Sequence, residues 1–176
     1  MLHLNKIRSG IALKSALRVA STLQGIMKKT IVHIILFVLT PIIFGGLIYL
    51  LTRPDSLLMF DWLKKFGLAE NIAIIRSNLR INDLLQNWII YNSPAWIWTF
   101  SLTVLLGIIW DYKINKDSLI ILLIPSILGV LSEILQKTEL INGTFDFIDL
   151  FLYLIGGISG LLIIKSINYK HKINLL

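Results

Sequence analysis

Residues 31–51 read IVHIILFVLTPIIFGGLIYLL, 21 positions without a single Lys, Arg, Asp or Glu. A helix rises ~1.5 Å per residue, so this run reaches across a hydrocarbon core ~30 Å thick. The stretch predicts a transmembrane helix. Pro41 falls inside it, which a membrane helix tolerates when other groups take up the freed carbonyl. Gly45 and Gly46 offer a face that a neighbouring helix can approach closely.

Three further runs follow the same logic. Residues 94–110 (PAWIWTFSLTVLLGIIW) carry no charge, with Ser93 reading as an N-cap and Pro94 as the first helical residue. Residues 118–135 (SLIILLIPSILGVLSEIL) follow Asp117, contain Pro125 and Gly129, and have Glu133 as their one charge. Residues 147–164 (FIDLFLYLIGGISGLLII) carry Asp149 near their start. Four spans and their connections nearly exhaust 176 residues, so the expected fold is an all-α integral membrane bundle with no separate soluble catalytic domain. Composition agrees, being 56% hydrophobic and 15% charged with a mean hydropathy of +0.78. No internal repeat or low-complexity segment is evident.

The formal net charge of +7 is concentrated at one end. Lys6, Arg8, Lys14, Arg18, Lys28 and Lys29 precede any acid, whereas the rest of the chain holds 11 basic against 10 acidic residues. That distribution reads as a cytoplasmic anchor and argues against a nucleic-acid groove. Residues 1–29 are therefore expected to form a basic cytoplasmic segment and residues 30–176 the four-helix membrane domain. Met27, followed by Lys28, Lys29 and the apolar run, resembles the start of many membrane proteins. Residues 1–26 thus have two readings, an upstream extension before a start at Met27 or a basic amphipathic helix on the anionic inner leaflet.

Basic residues resist translocation, so counting them orients the bundle. The N-terminal segment, Lys113 and Lys116, and the tail residues Lys165, Lys170 and Lys172 put 11 on one side. Arg53, Lys64, Lys65, Arg76, Arg80 and Lys137 put 6 on the other. Both termini are expected in the cytoplasm. The outer connection of residues 52–93 is too long and apolar for a plain loop. Its residues 56–68 (SLLMFDWLKKFGL) predict an interfacial amphipathic helix, and residues 71–87 suggest a second, weaker one. Trp62, Trp88, Tyr91, Trp96 and Trp98 fall near this outer boundary, and Trp110 and Tyr112 near the inner one.

The chain has no cysteine, which removes disulfides, thiolate nucleophiles and Cys-based metal sites. No HExxH, GxSxG, phosphate loop or paired-His spacing appears, and no metal or cofactor is expected. His33 reads as a packed or interfacial side chain, while His3 and His171 lie in basic tails. Asn142, Gly143 and Thr144 match a glycosylation sequon but read as a turn.

Ionisable groups within apolar segments are costly, and here they gather in one place. Ser132, Glu133 and Gln136 end the third span, a turn follows at Asn142 and Gly143, and Asp146 and Asp149 begin the fourth. Glu133 and Gln136 are three apart, as are Asp146 and Asp149, so each pair shares a helix face. Asp149, Tyr153, Gly156 and Gly160 continue one stripe, in which Gly156 and Gly160 suit close helix packing. The expectation is a tight hairpin of the third and fourth helices with acids at its outer mouth. Three carboxylates can act as general acid and base or hold a divalent cation. They also suit structural roles, since a helix N-terminus favours Asp146 and Asp149 and headgroup depth solvates Glu133. The structural role carries more weight because clustered acids are unspecific indicators.

The stretch SEILQKTELINGTFDFIDLFLYLIGGISG (residues 132–160) resembles the VanZ-like family of small bacterial membrane proteins. Glu133, Gln136, Gly143, Phe145, Asp146, Asp149, Gly156 and Gly160 match that family's pattern in order and spacing. Thr144 and Tyr153 depart from it, standing where members commonly have Arg and Asn. If that Arg pairs with the acids, Arg76 or Arg80 is expected to compensate. The resemblance is specific over about 30 residues and implies bacterial envelope physiology linked to teicoplanin resistance. It supplies no reaction.

The leading expectation is a non-catalytic protein that binds an amphiphilic or lipid-linked ligand at the outer leaflet or serves as an accessory subunit. Its partners would be the lipid bilayer, such a ligand, and a membrane-protein partner or second copy. The alternatives are a small enzyme acting on a lipid-linked phosphate through Glu133, Asp146 and Asp149, and a transporter, which four spans support only as an oligomer.

Overall fold

A computed structural model describes residues 2–53, 55, 58–78, 88–141 and 143–173, and no strand occurs among them. Helix α1 (Leu2–Ile34) passes through a π-helical turn (Ile35–Leu39) into α2 (Thr40–Thr52). Two short helices follow, α3 (Leu58–Lys65) and α4 (Ala69–Asn78), and then three long ones, α5 (Trp88–Ile109), α6 (Lys116–Lys137) and α7 (Phe147–Ile173). Four stretches are long and apolar enough to span a bilayer: Ala20–Thr52, Ile90–Ile109, Lys116–Lys137 and Phe147–Asn168. Each overlies one expected span. The chain is an all-α, multi-pass integral membrane protein. Arg80, Asn142 and the 79–87 part of the second surface helix lie outside the described residues, as do the side chains of His3, His171 and Trp88.

Helix α1 runs unbroken through residues 29 and 30, joining the basic segment to the first span. Two starts differ from the sequence reading, each for a local reason. Pro94 is not at the start of α5 but inside it. A proline there cannot donate to the carbonyl of Ile90, and the Ser93 hydroxyl donates to that oxygen instead at 2.9 Å. Helix α6 begins at Lys116 with Asn115 as its cap. Asn115 Oδ1 accepts from the Ser118 N–H and Ser118 Oγ accepts from the Asn115 N–H, both at 2.8 Å. The π turn lies just ahead of Pro41, where Thr40 Oγ1 donates to the Ile35 carbonyl at 2.8 Å.

Helix α5 is the hub. Half of its span is buried, against 11% of the first span, so the others are arranged around it. Helix α7 lies along it with the most extensive contact in the molecule, and α2 and α6 also pack on it. Water drives no association between helices in lipid, so close approach and interhelical hydrogen bonds hold such a bundle. A Cβ on Gly156 would come within 2.6 Å of the Trp96 carbonyl oxygen, and one on Gly160 within 2.8 Å of Thr103 Cβ. Trp96 Nε1 donates to Ser159 Oγ at 3.1 Å, which takes this indole inward, away from the outer boundary. The two glycines thus face α5, whereas the sequence reading set the tight packing between the third and fourth helices. Helix α6 meets a different face of α7, where Ser126 Oγ donates to the Tyr153 carbonyl at 3.0 Å.

The spans alternate in direction. At one end His33 Nδ1 hydrogen-bonds Tyr112 Oη at 2.8 Å, joining α1 to the α5–α6 turn above a core of Tyr112, Leu122 and Ile164. Tyr112 is buried, which pushes its phenol above the ordinary value, and with Asp111 it adopts a positive φ near 55°. At the other end, the close of α2 meets the starts of α5 and α7 around Arg53. Ile120, Ile127, Ile158 and Leu162 are exposed, as expected for residues facing acyl chains.

Candidate functional site

The site is built around Arg53, which follows the last residue of α2. Its guanidinium lies over the Tyr91 ring at 3.9 Å and near the Tyr49 ring at 5.4 Å, held by two aromatic faces. Arg53 Nη2 stands 3.9 Å from Asp149 Oδ2. That is an ion pair without a hydrogen bond, since charge-assisted N–H···O contacts close to ~2.7–2.9 Å. Arg53 Nε and Asp149 Oδ1 are both buried and find no hydrogen-bond partner among the described residues. Such atoms are costly, and here two of opposite character belong to one ion pair.

Arg53 and Asp149 line one end of a cavity of about 660 Å³. Helices α2 and α6 flank α5, and the space between them is this cavity. Tyr49 and Gly46 come from α2, Trp98 and Leu102 from α5, and Leu128 and Ser132 from α6. Met59 and Trp62 of α3 border it as well, so the short helix predicted in the outer connection overhangs the opening. Trp98, Leu102 and Leu128 are exposed, which opens the cavity sideways to lipid. Its volume is that of a pocket for a small organic ligand.

The predicted acids divide between two roles. Glu133 is buried, and its Oε2 accepts the Asp146 backbone N–H at 2.9 Å, tying the end of α6 to the start of α7. Asp146 Oδ1 accepts the Ile148 N–H at 2.8 Å, capping α7. Gln136 packs over Gly143, whose φ of +150° suits glycine. Asp149 alone of the four predicted polar residues lines the cavity. Among the described residues no group of three or more His, Asp or Glu is placed to hold a metal ion.

The cation beside the acids is Arg53, not Arg76. Arg76 reaches back from α4 to the Leu50 and Arg53 carbonyls, with Nη2 2.6 Å from the latter, and pairs with Asp55. It covers the Phe60 ring at 4.5 Å and so straps α3 and α4 to the end of α2. Sequence reading counted Arg53 only as a loop charge. Its position directly after an apolar span and before Pro54 was the available signal, because such a residue is held at the membrane boundary.

No family model matches the chain, and neither a curated protein nor a solved structure does. The functional reading therefore rests on the site itself.

Proposed function

We propose that this chain is a VanZ-like protein of the bacterial envelope that binds, without transforming, an amphiphilic or lipid-linked ligand at the outer leaflet. The observation that carries the reading is the laterally open cavity with a charged pair at one end and apolar walls below it. An amphiphile enters such a site from the bilayer, placing its head at Arg53 and Asp149 and its chain beside Leu102 and Leu128. The excess of basic residues at the opposite end supports an outward-facing mouth and cytoplasmic termini. Binding is favoured over chemistry because Glu133 and Asp146 are engaged in holding the α6–α7 turn, which leaves one carboxylate at the cavity.

Gly46 provides the test. Gly46 lines the cavity and a Cβ there meets nothing within 4 Å, so Gly46→Phe adds bulk at the cavity wall from an unobstructed start. The wild-type protein should carry an amphiphile visible by native mass spectrometry in detergent. Gly46→Phe should lose it while unfolding at the same temperature. Equal retention by both proteins would remove the cavity as the binding site. In a bacterial host, the same substitution should abolish any effect of the protein on teicoplanin susceptibility; an undiminished effect would separate the cavity from that role.

A further inference from the structure

Resting on that reading of the cavity, we infer that its ligand is a phospholipid-type amphiphile whose head pairs a phosphate with a primary ammonium. The phosphate lies against Arg53 and the ammonium against Asp149. Two observations lead here. Arg53 is fixed by the Tyr91 and Tyr49 faces, which leaves the edge of its guanidinium as a flat fork of donors, the geometry suited to a phosphate. Asp149 stands 3.9 Å from the same cation without a hydrogen bond, so a purely anionic head would gain Arg53 and be repelled by its neighbour. A head carrying both signs is matched to both groups.

The carboxylate at the cavity narrows the class further, because an ionised Asp149 only accepts hydrogen bonds. A primary ammonium has N–H groups to give, whereas a quaternary one has none. The apolar side of the cavity, at Leu102, Pro125 and Leu128, gives an acyl chain its place, so a free head group satisfies only part of the site.

Purified full-length protein in nanodiscs, titrated with lipids of identical chains and followed by native mass spectrometry, tests this. Phosphatidylethanolamine should bind about tenfold or more tightly than phosphatidylcholine or phosphatidylglycerol, and diacylglycerol more weakly still. Asp149→Asn should erase the preference over phosphatidylglycerol, and Arg53→Gln should weaken all three phospholipids, bringing phosphatidylglycerol to the diacylglycerol level or below. Free phosphoethanolamine should displace the bound lipid only at far higher concentration; equal potency would overturn the assignment to a lipid. Equal affinity of the wild type for all four lipids would overturn the head-group inference and leave the cavity reading standing. Saturable binding that survives in Gly46→Phe, or a second copy of the chain filling the cavity in place of lipid, would overturn the cavity reading itself. The wild-type lipid series decides the head-group question even if a variant fails to fold.

Discussion

At the scale of single residues, the bundle depends on where a methyl group has room. Gly156→Ala would drive a Cβ to 2.6 Å from the Trp96 carbonyl, a backbone atom that cannot swing aside. It should destabilise the protein by ~1–3 kcal/mol, the usual range for overpacking, whereas Gly46→Ala, with nothing within 4 Å, should be close to neutral. Thermal unfolding of both variants in detergent checks this, and equal melting temperatures would contradict the packing described. Ser93→Ala leaves the Ile90 carbonyl without the hydroxyl that replaces the missing proline donor and should cost ~0.6 to 1.7 kcal/mol in the same assay. Residue types were readable in the sequence, but their partners were not. Gly156 and Gly160 stand at the spacing of a packing motif, which identifies a close contact without saying which helix makes it.

At the scale of elements, the short helices α3 and α4 are strapped to the end of α2 by Arg76. Arg76 ties them to the Leu50 and Arg53 carbonyls and to Asp55. Arg76→Gln should free residues 58–78, raising hydrogen exchange there by roughly tenfold or more while α5 and α7 keep their protection. Unchanged exchange in α3 would show that another contact holds it. The spans themselves were legible because bilayer thickness demands about 20 apolar residues, a local property of the sequence. Their starts were less so. Pro94 looks like a first helical residue until the Ser93 hydroxyl is seen serving the Ile90 carbonyl, and Asn115 caps α6 two residues ahead of Asp117. The cation of the site was missed for a similar reason: Arg53 and Asp149 are 96 positions apart in the sequence, and the fold alone joins them.

At the scale of the whole molecule, orientation and ligand remain to be joined. The chain has no cysteine, so single introduced thiols report their own side of the membrane. Gly143 is a poor place for one, because its φ is +150° and a Cβ would meet the Gln136 side chain at 2.6 Å. Thr144 and Lys113 are both exposed and lie at opposite ends of the bundle. Thr144→Cys should react with an impermeant maleimide on intact spheroplasts and Lys113→Cys only after lysis; the reverse pattern would invert the topology and place the cavity in the inner leaflet. The four-span architecture and the cluster near Glu133 were visible in sequence, whereas the cavity was not, since it is made by α2 and α6 standing apart on either side of α5. The most direct measurement is photo-crosslinking with a phosphatidylethanolamine that carries a diazirine in its acyl chain, mapped by peptide mass spectrometry. Label should concentrate at Leu102 and Leu128 and, in Gly46→Phe, fall to the level found at Ile120 and Leu162. Label spread equally over Ile120 and Leu162 on the outer faces, and unaffected by that substitution, would contradict a bound amphiphile in the cavity.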